Sequence, residues 1–145
     1  MRFLMMIKAS KQSEAGAMPS EAILARMMKY NEELSKAGVL LDLAGLHPSS
    51  RGTRIQFHGN KTTVVDGPFT EAKELIAGYW LIQVKSRQEA IEWARRVPFD
   101  GDSGAMAGED GEVELRQLFD LTDFPEANAE TLATAAKIGS KLEHP

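Results

Sequence analysis

An α+β protomer is the expected fold, and three features of the sequence carry that expectation. Phe3 to Ile7 is a continuous apolar run of strand rather than helix length. Two segments, 20–37 and 86–97, place apolar residues at helical spacing between recognisable start and stop signals. Between them, Gly59-Asn60 separates two short runs in the manner of a β-hairpin turn. The order that results is strand, helix, strand, hairpin, strand, helix, strand.

Arg2 to Lys8 is read as the first strand. It is apolar on both sides, which suits a central strand covered on both faces. Helices cover only one face of a single sheet, so a partner subunit is the simplest second cover. Lys11 to Met18 reads as a polar loop, after which Pro19 or Ser20 opens a helix that ends near Ala37 with Gly38 as its left-handed cap. Ile23, Met27, Tyr30 and Leu34 share one face of it, and Leu24 and Met28 widen the stripe. Such spacing is what core packing demands, although a methionine-lined ligand surface has the same pattern. Val39 to Leu46 forms the second strand, His47 to Gly52 a loop, and Thr53 to His58 pairs with Lys61 to Asp66 as the hairpin.

The chain must turn at Asp66-Gly67-Pro68. Gly67 can take φ > 0, and Pro68 fixes its own φ while pushing Gly67 out of the helical region. Phe69 then offers an apolar anchor, and Thr70 to Leu75 reads as a short helical turn or ordered loop, with Thr70 able to cap it. In the next strand, Gly78 to Val84, Tyr79 and Trp80 point to opposite faces, either of which could wall a pocket. Ser86 and Glu89 form a capping box for the second helix, Ala90, Ile91, Ala94 and Val97 face the sheet, and Pro98 stops it. The Gly- and Asp-rich segment 99–111 reads as a connection, lacking both the Gly-Lys-Ser/Thr of a phosphate loop and the acidic spacing of an EF-hand. Glu112 to Phe119 is the last strand, with Val113, Leu115, Gln117 and Phe119 on one face and Glu112, Glu114, Arg116 and Leu118 on the other. Pro125 precedes an Ala-rich stretch, 126–138, able to form a short helix with a thin apolar stripe.

A chain of 145 residues is the size of one domain and buries roughly two-thirds of its unfolded surface without staples. The absence of Cys excludes disulfides, thiolate catalysis and Cys-based zinc sites, and a reducing, cytoplasmic setting fits. The first apolar run is too short for a signal-peptide core or a membrane span. Net charge is −4 with scattered basic residues, which argues against a phosphate-tracking nucleic-acid surface.

Chemistry must then come from few residues. Asp66 is either the acceptor that stiffens the turn or a carboxylate held at a cleft edge. His47, beside Pro48 at a strand end, can act as acid or base near neutral pH, and it and Asp66 are the candidate proton carriers. Arg54, Phe69, Lys73, Tyr79 and Arg116 are the candidate ligand-binding residues; Lys73 is placed to pair with Asp66, and Arg116 to meet an anion. Nothing in the spacing of His47, His58 and Asp66 forces them together, so no metal is expected. No cofactor is expected either, and His144 sits in a tail. There is no Gly-x-Ser-x-Gly elbow to make Ser49 or Ser50 a nucleophile.

The run DGPFTEAKE at Asp66 to Glu74, followed by GYWLIQV and EAIEWARRVP, with AGLHPSSRG before and EVELRQLFDLTDF after, resembles the DGPF subgroup of the YCII-related proteins. The resemblance covers about Met1 to Phe124, a single domain, and leaves 125–145 as a C-terminal extension. It implies a ferredoxin-like βαββαβ protomer with an inserted hairpin, pairing as a homodimeric α/β barrel. It also implies one of two roles. The first is a cofactor-free enzyme acting by acid/base chemistry on a small organic substrate. The second is a ligand-binding or regulatory module associated with an extracytoplasmic-function sigma factor. Relatives with an acid/base site carry a His early in the first helix, and Glu21 to Ala37 contains none.

Overall fold

The computed structural model describes residues 1–99 and 111–143. Residues 100–110 of the connection expected over 99–111, and His144, lie outside the described residues. Among the described residues six strands form two antiparallel sheets. The larger contains β1 (Arg2–Lys8), β2 (Leu40–Gly45), β5 (Ile76–Gln83) and β6 (Val113–Gln117) in the order β2-β5-β1-β6. The smaller is the hairpin of β3 (Thr53–His58) and β4 (Lys61–Asp66). Among the described residues four helices complete an α+β architecture: α1 (Lys11–Glu14), α2 (Glu21–Lys36), α3 (Arg87–Arg95) and α4 (Ala129–Glu143).

β1 lies between β5 and β6, as its two-sided apolar pattern requires. Phe3 and Met5 point to the helix-covered face, where Trp80 and Ile82 of β5 join Tyr30 and Leu34 of α2 and Ala90 of α3. Met5, Leu34 and Ile82 are wholly enclosed, each contributing about 1.5–3 kcal/mol by leaving water. The Tyr30 ring meets Trp80 edge-on, centroids 5.3 Å apart, and its hydroxyl donates to the Trp93 carbonyl at 2.8 Å. Burial raises the Tyr30 hydroxyl's pKa above its ordinary value; the Arg96 charge opposes this and Glu33 adds to it. Trp93, rather than the expected Ile91, packs on this core from α3. The opposite sheet face carries Leu4 and Met6 of β1 beside Leu81 and Tyr79 of β5, with Arg116 and Glu114 of β6 alongside.

Several local expectations are corrected. The segment expected as a polar loop begins with α1, because Ser10 and Ser13 cap each other: Ser13 N–H donates to Ser10 Oγ at 3.1 Å, and Ser10 N–H to Ser13 Oγ at 2.9 Å. α2 starts after Ser20, whose Oγ accepts from Ile23 N–H, and ends at a left-handed Gly38 (φ 71°) as expected. Its Leu24 and Met28, however, stay exposed. Only half of the capping box forms on α3: Ser86 Oγ accepts from Glu89 N–H, but the Glu89 carboxylate accepts from Lys85 N–H at 2.8 Å. Phe119 falls beyond the end of β6 and leaves the core face to rest against Phe124 at 5.0 Å. α4 begins later and runs longer than expected, capped by Asn128 Oδ1 accepting from Thr131 N–H rather than opened by Pro125.

Candidate functional site

The Asp66–Phe69 turn is built by close packing of two backbone segments. Gly67 N–H donates to the Gly52 carbonyl at 2.9 Å, and a Cβ on Gly67 would stand 1.8 Å from the Ser49 carbonyl oxygen. Glycine is needed here for that approach and not for the expected positive φ, which Gly67 does not adopt. The facing segment is a 3₁₀ turn, Ser49–Arg51. Its Ser49 is the hub: the hydroxyl donates to Glu14 of α1 and accepts from Phe69 N–H at 2.9 Å, while Ser49 N–H also donates to Glu14 at 3.1 Å. One side chain therefore ties α1, the 3₁₀ turn and the Asp66–Phe69 turn together. Arg54 lies 3.8 Å above the Phe69 ring centroid, a cation–π contact of about 0.5–1 kcal/mol at an exposed site.

Asp66 itself is exposed and accepts from the Thr53 hydroxyl at 3.0 Å, a cross-strand bond at the open end of the hairpin. Among the described residues it makes neither the expected ion pair with Lys73 nor bonds to backbone N–H groups. Thr70 does not cap the following 3₁₀ turn, Ala72–Glu74, which has no side-chain cap.

Beside this joint a cavity of about 510 Å³ opens between α2, the segment joining α1 to α2, and the ends of β2 and β5. Its wall is mainly apolar, with Met18, Leu24, Met27, Met28, Leu43 and Leu46 prominent. His47 and Pro48 reach it from the segment that leads from β2 into the Ser49 turn, Asn31 adds a polar group, and Lys8 borders it. Its volume falls within the range of small-molecule sites, which are concave, mostly apolar and carry a few polar groups for orientation. Arg51 Nη1 lies beside both His47 ring nitrogens, 3.0 Å from Nε2 and 3.2 Å from Nδ1.

Of the residues singled out by sequence, His47 and Tyr79 border the cavity; the Tyr79 side chain itself stands on the uncovered sheet face, where its hydroxyl donates to Asp42 at 3.1 Å. That bond, and then the Asp42 charge, raise the Tyr79 pKa above its usual value. Asp66, Arg54, Phe69 and Lys73 do not line it. Arg116 sits on the uncovered face of the large sheet, 3.9 Å from Glu114 and far out in solvent. Sequence reasoning missed Lys8, Asn31, Glu14 and Ser49. Only the Ser10–Ser13 capping pair, which creates α1 and so positions Glu14, left a readable trace.

Among the described residues no group of three or more His, Asp or Glu is arranged to hold a metal ion, and no helix is long and apolar enough to cross a membrane. The sequence model of the YCII-related domain matches residues 1–118. Over 75 residues the chain is 32% identical to an uncharacterized protein of Rhizobium meliloti (strain 1021), a match that covers 52% of this chain and 60% of that relative. The resemblance carried by the Asp66–Glu74 run and its flanks is thus met at the level of the family: the chain belongs to the YCII-related domain family.

Proposed function

We propose that this protein is a homodimer that binds a small, largely apolar organic molecule in the cavity under α2. The observation that carries the reading is the cavity itself, about 510 Å³ of mainly apolar wall with His47 reaching it from a turn anchored on three sides. The strand order β2-β5-β1-β6 supports a ferredoxin-like protomer. The apolar row Leu4, Met6, Tyr79 and Leu81 on the uncovered sheet face supports pairing as a dimeric α/β barrel. The Asp66-Gly67-Pro68-Phe69 run supports a DGPF-type member, and in this reading Asp66 and Phe69 shape the turn that fixes His47.

A cofactor-free acid/base enzyme is the second reading, favoured by the position of His47 at the cavity. In it, His47 exchanges a proton with the bound molecule. A ligand sensor working beside an extracytoplasmic-function sigma factor uses the same cavity without turnover.

Native mass spectrometry of gently purified protein tests the first reading. The expected result is a dimer that carries a reproducible small-molecule mass, absent from the cavity-filling Met28→Trp variant. A monomer contradicts the pairing. A dimer that carries no adduct and fails to bind N-phenyl-1-naphthylamine contradicts the cavity reading. His47→Gln separates the two roles: an enzyme loses turnover with its ligand affinity retained, and a sensor has no turnover to lose.

A further inference from the structure

We infer that the hollow selects an apolar molecule bearing a carbonyl oxygen, a ketone, ester or lactone, and that Asn31 is the donor that holds this oxygen. This rests on the reading that the cavity is a ligand site, and it names the ligand's class.

Helical spacing sets Asn31 on the stripe of α2 that borders the hollow: it follows Leu24 by seven residues, Met27 by four and Met28 by three. It is the polar member of an otherwise apolar row. Its amide has a defined orientation. Trp80, buried beneath α2, can only donate through its indole Nε1–H, and that nitrogen lies 2.7 Å from Asn31 Oδ1, so the oxygen is the committed end. The nitrogen end is not. No described residue accepts from Asn31 Nδ2, and no buried side-chain nitrogen or oxygen among the described residues lacks a partner, so Nδ2 lies open to solvent. Asn31 is half-buried and lines the hollow, which is where that N–H₂ meets an occupant. Ser13, also at the wall, directs its hydroxyl proton to the Ser10 carbonyl at 3.1 Å. A mainly apolar wall with one oriented amide donor suits an apolar body with one neutral acceptor. A molecule without an acceptor would strip water from the N–H₂ and leave it unpaired, which is how a hydrogen-bonding site rejects the analogue that lacks the group.

Two neutral naphthalene dyes test this. 6-Propionyl-2-(dimethylamino)naphthalene carries a ketone, and N-phenyl-1-naphthylamine carries no oxygen. Asn31→Asp keeps a side-chain oxygen for the Trp80 indole and replaces the N–H₂ donor by a second acceptor, ionised near neutral pH. Titrated into the full chain, the ketone dye should bind this variant about tenfold more weakly, with the affinity of N-phenyl-1-naphthylamine unchanged. Met28→Trp should weaken both, which places both in the cavity. A second measurement needs no variant to fold. In unaltered protein carrying ¹⁵N-asparagine, the ketone dye should move the Asn31 side-chain amide protons downfield and N-phenyl-1-naphthylamine should not, with Asn60 of the hairpin turn and Asn128 at the start of α4 as fixed references. An unchanged ratio of the two affinities in folded Asn31→Asp, or an Asn31 amide that does not move downfield with bound ketone dye, overturns the inference and leaves the cavity reading standing. Failure of both dyes to bind the unaltered protein removes the cavity reading and this inference together.

Discussion

Two regions of this protein expose apolar side chains to a similar degree, and they differ in shape. Around the cavity, Leu24, Met28 and Leu46 are 44%, 60% and 46% exposed; on the hairpin, Ile55, Val64 and Phe57 are 51%, 65% and 79% exposed. The first group curves around a hollow walled by α2 and the large sheet. The second projects from a separate two-stranded sheet, where Ile55 pairs directly with Val64, and a lone hairpin is marginal in water by itself. Exposure alone does not identify an occupant, whereas curvature does: a hollow fits a small molecule, and a projecting apolar face fits another protein surface. In the proposed dimer the partner covers the hairpin face as well as the row Leu4, Met6, Tyr79 and Leu81, and the hollow is left for the ligand.

The joint between these regions is where the largest effect is expected. Gly67→Ala forces a Cβ into the Ser49 carbonyl, backbone against backbone, and should cost about 2–3 kcal/mol. Thermal unfolding measures that loss, and because hairpin and cavity share the joint, dimerisation and dye binding should both weaken. Phe57→Asp is the sharper separation. A charge on the projecting face should shift the dimer toward monomer by about 2 kcal/mol, read by sedimentation equilibrium, with neutral-dye affinity per protomer unchanged. Equal loss of both properties would show that the two regions are not independent.

Ser49→Ala removes the hydroxyl that bridges Glu14 and Phe69 N–H and should cost about 1–2 kcal/mol in denaturant unfolding, with weaker dye binding because the His47 side of the cavity loosens. Tyr30→Phe should cost about 1 kcal/mol, touching neither region. It carries a pH signature as well. The folded Tyr30 has a raised pKa, so its contribution is fully present below the ordinary tyrosine value of about 10 and is lost as pH rises above it. Unfolding free energy should fall more steeply on the alkaline side in the unaltered protein than in Tyr30→Phe.

Much of the fold is readable from local pattern. The hairpin bounds, the caps Ser20 and Gly38 of α2, and the opposite faces of Tyr79 and Trp80 follow from turn chemistry and from the periods of strand and helix. The site is less readable, because it depends on contacts between distant segments. Ser49 to Glu14 spans 35 residues and Ser49 to Phe69 spans 20, and no periodicity encodes either. Leu24 and Met28 satisfy the core spacing of α2 yet line the hollow, because the helix is wider in apolar residues than the sheet beneath it can cover. Asp66 drew attention as an unusual carboxylate, and in the fold it accepts from the Thr53 hydroxyl across the hairpin.

The methionines supply the most direct test of the central claim, that the hollow under α2 is the binding site. Met18, Met27 and Met28 line it, Met5 is buried in the core, and Met6 lies on the uncovered sheet face. Methyl NMR of protein carrying ¹³C-methyl methionine, titrated with N-phenyl-1-naphthylamine, should shift the resonances of Met18, Met27 and Met28 together and leave Met5 and Met6 in place. A shift confined to Met6, or saturation binding of the dye with the three cavity methyls unmoved, would contradict it.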